Sequence, residues 1–291
     1  MNKILGLLTA WGARRTVRAA AQQAIEYCDE IMAVATPFAP ELKRFEDGTY
    51  DMLKSFSRIN LLDYRTQETT LSRAVADVLN HMISRSSLCS VGNWVWILDA
   101  DEFYADSAPK MIRAAIDSGR HNQITVESRF FMINTHHYLN ETGNRLFKIE
   151  PGDERFIPTN KWSGKPRVIY MLPREHGMFH YGMLVSAEMY RVKWGVEHEG
   201  KRQDNKTRWL DEIYYKYDLN YENRWLRKNL ELSGIFSPWF NKGFRPNFNG
   251  RLFQYQGKHP KFIECSGLTR IKDFRNESDT KLRGLEDNKR H

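Results

Sequence analysis

Most of the short signatures that mark an enzyme class are missing from this chain of 291 residues. There is no Gly-x-x-x-x-Gly-Lys-Ser/Thr loop and no Gly-x-Gly-x-x-Gly after the first apolar run, which argues against a P-loop NTPase and a standard dinucleotide oxidoreductase. A Gly-x-Ser-x-Gly elbow, the commonest serine-hydrolase signal, is absent as well. Cysteine is scarce. Cys28, Cys89 and Cys265 are odd in number, far apart and without metal-ligand spacing, so the simplest inference is a reduced, cytoplasmic compartment. No apolar run approaches the roughly 20 residues of a membrane-spanning helix. The short run Ile4 to Ala10 is followed at once by Arg14, Arg15 and Arg18, and suits a first buried strand better than a signal peptide. There is also no internal repeat and no low-complexity tract.

What is present is an ordinary globular composition, 41% hydrophobic and 27% charged, with enough length for a sizeable core. The net charge of +8 is unevenly spread. Residues 1–200 hold 24 basic and 24 acidic side chains, whereas residues 201–291 hold 20 and 12 and carry the whole excess. The two parts read as a main domain, 1–200, and a basic, aromatic-rich extension, 201–291, that packs on it. The basic excess suits contact with an anionic surface or partner, although its interspersed acids also fit a solvated face.

Apolar spacing predicts alternating strands and helices. Ile4 to Ala10 reads as a strand. Thr16 is a candidate N-cap for a helix carrying Val17, Ala20, Ala21, Ala24, Ile25 and Cys28 on one face. Strands follow at Ile31 to Ala35 and Ile59 to Leu62, then a helix over Thr69 to Ile83. Ala108 to Ile116 reads as helix, Ile124 to Met132 and Val168 to Met171 as strands, and residues 134–165 as irregular. Beyond about residue 205, Trp209, Leu210, Ile213, Tyr214 and Tyr217 form a helical aromatic stripe. The β-α-β alternation of the first hundred residues predicts an α/β fold, with a mostly parallel sheet of the doubly wound kind.

The most informative segment is Trp94-Val-Trp-Ile-Leu-Asp99-Ala-Asp101-Glu102-Phe-Tyr104. A run buried on both faces stops at three carboxylates, where open α/β sheets bind their ligands. That much negative charge calls for a cation or a polar ligand, and a hard divalent ion with phosphate oxygens on its far side meets the need. A solvated turn after a core strand is the plainer alternative. Downstream, His176 and His180 have helical spacing and could share a zinc ion, but Gly177 and Gly182 argue against a helix there. One histidine joining Asp101 on Mn²⁺ or Mg²⁺ is chemically sound.

Taken together, these residues resemble the GT-A glycosyltransferases of the family 2 type, in which the equivalent stretch reads aromatic-hydrophobic-Leu-Asp-Ala-Asp-Glu. Arg73, Met178-Phe-His180-Tyr-Gly182 and Tyr255-Gln-Gly-Lys-His259-Pro260 are similar to further segments of that family. The resemblance covers about 1–200 well and the remainder loosely. It implies a GT-A (Rossmann-like) sheet flanked by helices, with a mainly helical C-terminal extension. The implied reaction is transfer of a sugar from a nucleoside-diphosphate sugar to an acceptor hydroxyl, with inversion and a bound Mn²⁺ or Mg²⁺. In the roles it implies, Asp101 and His180 hold the metal of a DXD motif, and Asp99 faces the ribose or donor sugar. Thr9 and Ala10 border the nucleoside, Arg73 counters the diphosphate, and Glu127 or Glu175 serves as general base. The acceptor is left open among a glycan, a lipid-linked molecule and a modified nucleic acid. Two departures stand out. The second strand ends Val34-Ala35-Thr36-Pro37 without the acid that reads the base in many members, leaving Asp63 as a substitute, and the Glu-Asp pair that often supplies the general base is not evident at its expected place. A nucleotidyltransferase with a similar acidic site, or a nucleic-acid-binding protein using the basic C-terminal region, is the competing reading.

Overall fold

The computed structural model describes residues 2–37, 40–68, 71–132, 134–152, 167–182 and 253–264, with short pieces at 156–157, 161–162, 184–185, 189, 192 and 268. Its first half is a parallel βα assembly. β1 (Ile4–Thr9), α1 (Arg14–Tyr27), β2 (Glu30–Val34), α2 (Thr49–Lys54), β3 (Asn60–Leu62), α3 (Leu71–Ser84) and β4 (Trp94–Asp99) follow one another. β1 lies between β2 and β4, parallel to both, in a register running from Ile4 beside Trp94 to Thr9 beside Asp99. β3 extends the row beyond β2.

Continuous apolar runs suit β1 and β4 because both faces of each are covered. Leu5, Leu7, Val95 and Ile97 pack with Val78, Leu79 and Met82 of α3 on one face. Ile4, Leu8, Trp94, Trp96 and Leu98 pack with Val17, Ala20, Ala21 and Ala24 of α1 on the other. Small residues bring α1 close to the sheet, and Gly6 takes this furthest: a Cβ there would lie 2.8 Å from Cys28 Sγ. The start of α1 corrects one expectation. The helix begins at Arg14 with Ala13 at the cap position, and Thr16 lies inside its first turn. Thr49 Oγ1 and Asp47 Oδ2 accept the N–H groups of Ala13 and Arg14, so the helix start is capped from a distant loop instead of by a neighbour in sequence.

The second half turns the sheet from parallel to mixed. It comprises β5 (Glu102–Tyr104), α4 (Ala108–Asp117), β6 (Gln123–Phe131), β7 (His137–Lys148), β10 (Ile169–Leu172), β11 (Met178–His180) and β12 (Phe253–Gln254), and a separate ribbon pairs β8 (Phe156–Ile157) with β9 (Lys161–Trp162). The strand order is β3-β2-β1-β4-β7-β6-β11-β5, with β10 also on β6 and β12 on β7. In this sheet, among the described residues, five pairings are parallel and four antiparallel. The α/β class expected from sequence holds.

Residues 134–165, expected to be irregular, contain the 12-residue strand β7. Its Asn140, Gly143 and Asn144 have little intrinsic β preference. β4 and β6 on either side supply the ladder that holds it extended. Glu102 opens β5.

The described C-terminal residues return to this body. β12 pairs with β7, Phe262 packs edge-on to Tyr27, and Lys261 Nζ lies 2.8 Å from Glu26. The aromatic stripe from Trp209, and most of the extension expected over 201–291, lie outside the described residues. Among the described residues no helix is long and apolar enough to cross a membrane.

Candidate functional site

β1 and β4 end side by side, so their last residues, Thr9 and Asp99, meet at the carboxyl edge of the parallel strands. The Thr9 hydroxyl donates to Asp99 Oδ1. The backbone around them is tied down: Ala10 N–H donates to Val34 O at 3.0 Å, and Ala100 N–H to Thr9 O at 3.0 Å. One residue beyond the turn, Glu102 is fully buried and its Oε1 accepts directly from Arg145 Nη2. The same guanidinium nitrogen lies 3.7 Å from Asp99 Oδ2. Arg145 comes from β7 and bridges two of the three carboxylates that crowd the end of β4.

The third carboxylate, Asp101, meets His180. β11 runs antiparallel to β5 with His180 opposite Glu102, and Tyr181 N–H donates to Asp101 O at 2.8 Å. His180 Nε2 then lies 3.8 Å from Asp101 Oδ1, while Nδ1 lies 3.0 Å from Glu141 Oε2. Glu141 also accepts from Ser128 Oγ at 3.4 Å, and the Phe130 ring tilts over the imidazole with centroids 4.5 Å apart.

Charge in this nest is strongly coupled. Burial opposes a charged His180, but Glu141, with its hydrogen bond, and Asp101 outweigh it and lift the imidazole to about 9. Burial likewise works against an ionised Glu141, yet His180 holds its carboxyl below the usual range. Burial pushes the Glu102 carboxyl up to about 8 against the pull of Arg145, with Asp99 and Asp101 adding to the rise. Burial alone would lower Arg145, but Glu102 and Asp99 keep the guanidinium charged.

Three observations bear on whether the site suits a divalent ion. Asp101 offers a hard oxygen and His180 a borderline nitrogen, a combination that suits Mn²⁺. Glu141 on Nδ1 is the outer carboxylate that commonly orients a ligating histidine. Gly182 leaves the space between them open: a Cβ there would sit 2.6 Å from His180 Nε2 and 3.0 Å from Asp101 Oδ2. The residues therefore fit a metal held by two protein ligands with its other positions free for substrate. Among the described residues no third protein ligand joins them, since no group of three or more histidine, cysteine or carboxylate side chains suited to a metal occurs there.

Of the residues singled out from sequence, Thr9, Ala10, Asp99, Asp101 and His180 are gathered here, and four are not. Arg73 is exposed on α3, with no hydrogen bond or ion pair to the acidic cluster among the described residues. Glu127 precedes Ser128 on β6, so its side chain leaves from the other face, where Oε2 accepts from Arg174 N–H at 3.1 Å. Glu175 is exposed in the short turn Arg174–His176. Asp63, the substitute base reader, is exposed just after β3. Arg145 and Glu141 were missed. Their one sequence signal is the period-two spacing Glu141-x-Gly143-x-Arg145, which puts two charged residues on one face of a strand.

No family model and no curated protein matches the sequence. Among solved structures, the chain is similar to S. aureus TarS residues 1–349, with 11% identity, a TM-score of 0.37, and coverage of 79% of this chain and 80% of that one. A longer S. aureus TarS structure aligns with 11% identity and a TM-score of 0.35 over 80% of this chain, which spans 49% of its length. Likeness at this level leaves the functional reading to the site itself.

Proposed function

We propose that this chain is a GT-A-type glycosyltransferase that moves a sugar from a nucleoside-diphosphate donor to an acceptor hydroxyl, with inversion and with Mn²⁺ or Mg²⁺ as cofactor. The observation that carries this reading is the meeting of Asp101 and His180 at the carboxyl edge of β4, beside the space that Gly182 leaves open. An acidic strand end of this kind, at the edge where α/β sheets bind ligands, supports a nucleotide-phosphate substrate. A divalent ion on Asp101 and His180 would counter the charge of the departing diphosphate.

The chain's own residues have separate tasks in this reading. Asp99, fixed by the Thr9 hydroxyl, presents its carboxylate toward the ribose or donor sugar. Arg145 offsets the charge of Asp99 and Glu102, so the site folds without every carboxylate needing the metal. Glu141 holds the Nδ1 proton of His180, which keeps the Nε2 lone pair on the Asp101 side once the ring is neutral. Glu127 and Glu175, the bases that the resemblance implies, lie apart from this pair. The basic excess after residue 200 supports an anionic acceptor, whether glycan, lipid-linked or nucleic acid.

The test is release of nucleoside diphosphate from a panel of nucleotide sugars, with Mn²⁺ or Mg²⁺, by the wild-type chain and Asp101→Ala. Losing several kcal/mol of electrostatic stabilisation should slow the variant by about 100-fold or more, with an unchanged circular dichroism spectrum. Full activity in the variant would remove the metal assignment. Release of pyrophosphate in place of a nucleoside diphosphate would instead make the protein a nucleotidyltransferase.

A further inference from the structure

Side chains alternate across β6 and β11, so Phe179 and Arg129 leave the sheet on the face opposite His180 and Ser128. That second face carries an aromatic cluster. Phe131 stacks on Tyr181 at 5.0 Å and meets Tyr255 edge-on at 5.8 Å. Arg129 is laid into this cluster, its guanidinium 5.0 Å from the Phe179 ring, 5.2 Å from Tyr255 and 6.0 Å from Tyr138. Nη1 donates to the Arg174 carbonyl at 2.8 Å, and Nε is buried with no hydrogen-bond partner.

Aromatic faces hold a guanidinium in position but do not neutralise it. Among the described residues Arg129 has no carboxylate within ion-pair distance, an uncommon state for a partly buried cation. It lines a cleft of about 300 Å³ with Lys258, Ser107, Phe179, Tyr255 and the buried His259. The Lys258 ammonium is exposed and likewise has no acidic partner among the described residues. Two acids, Asp106 and Glu175, line the cleft too. Asp106 Oδ1 is occupied by the Lys261 N–H at 3.1 Å, and Glu175 is exposed; neither pairs with Arg129 or Lys258.

We propose that this cleft is a second binding site, on the sheet face opposite the Asp101–His180 pair, for a small ligand bearing a phosphate or carboxylate group. Arg129 receives the oxyanion through the N–H groups of Nη2, since Nε is buried and Nη1 already donates to the Arg174 carbonyl. Lys258 adds charge from the open side, while Phe179, Tyr255 and Pro260 wall the remainder of the ligand. The site does not depend on the transferase reading, because no residue of the acidic cluster lines it.

The experiment is calorimetric titration with phenyl phosphate, benzoate and inorganic phosphate, and with phenyl glucoside as neutral control. The protein is first stripped of metal on a chelating resin, and no soluble chelator is added, so that no metal at Asp101 can hold the probe and no other carboxylate competes with it. Phenyl phosphate or benzoate should bind saturably to the wild-type chain and phenyl glucoside should not. Binding should weaken about tenfold in Arg129→Gln and about threefold in Lys258→Gln. Lys258 is exposed, so its variant stays informative even if loss of the Arg129 stack unsettles the fold. Inorganic phosphate binding with the same Arg129 dependence identifies a free ion as sufficient, and binding of the phenyl compounds alone identifies an anion carried on a larger molecule. Absence of saturable binding by every anion, or affinities unchanged in both variants, overturns the proposal.

Discussion

Gly182 sets how closely anything can approach Asp101 and His180. A methyl group at this position would lie 2.6 Å from His180 Nε2, inside any tolerable contact, so the imidazole must move off its line to Asp101. Gly182→Ala is expected to reduce transfer at least about tenfold and to raise the Mn²⁺ concentration needed for half-maximal rate, with little change in Tm. Kinetics titrated with metal check this, and wild-type metal dependence in the variant would show that the space is not used. His259 supplies a prediction in pH. Burial, helped by the nearby His136 and Arg129 and opposed by the Thr135 backbone, holds the imidazole down to about 4 from an ordinary value of 6.5. Between those values the unfolded chain binds the proton and the native one does not, so stability is full above about 6.5 and declines as pH falls toward 4. Tm measured from pH 7.5 to 4 should fall less steeply in His259→Gln than in the wild type. Parallel curves would dissociate His259 from the acid limb.

At the scale of elements, β1 and α1 show how small residues govern layer spacing. Gly6 faces Cys28 just past the end of α1, and an added Cβ would also lie 3.2 Å from Leu98 Cδ1. Gly6→Ala should therefore push the helix off the sheet and cost about 1–3 kcal/mol, measured by urea denaturation. β7 shows the opposite influence, of neighbours on a strand. Its sequence carries little apolar periodicity, and its extended form rests on ladders with β4 and β6. This is why sequence spacing located β1, β2 and β4 but not β7, and why Glu141 and Arg145 were not seen as site residues. β5 and β11 are three residues each, too short for any period to register, and they are the two strands that deliver Glu102 and His180.

Across the whole molecule, Arg145 joins the two halves of the sheet. It reaches from the mixed half to Asp99 at the end of the parallel half and to the fully buried Glu102. Arg145→Met leaves that carboxyl buried without its cation, a change that typically costs about 3–5 kcal/mol, softened here because Glu102 already favours its protonated form. The expected loss is at the low end of that range by chemical denaturation at pH 7, and it should grow as pH is raised through about 8, where Glu102 ionises. A variant as stable as the wild type would show that the ion pair contributes nothing to joining the halves.

The sequence by itself determined the parallel βα half and its acidic end, because both are local. Strand β4 has an unbroken apolar run, and Asp99, Asp101 and Glu102 follow that run within four residues. The resemblance implies His180 for the place beside Asp101, and the physical reason for that histidine over His176 came only with tertiary structure. It depends on the antiparallel pairing of β11 with β5, a contact between segments about eighty residues apart that no spacing rule encodes. The roles of Arg145 and Glu141 were decided in the same way. A lone charged residue on a weakly patterned strand acquires meaning only when the fold buries it beside its opposite, and burial is a property of the assembled sheet.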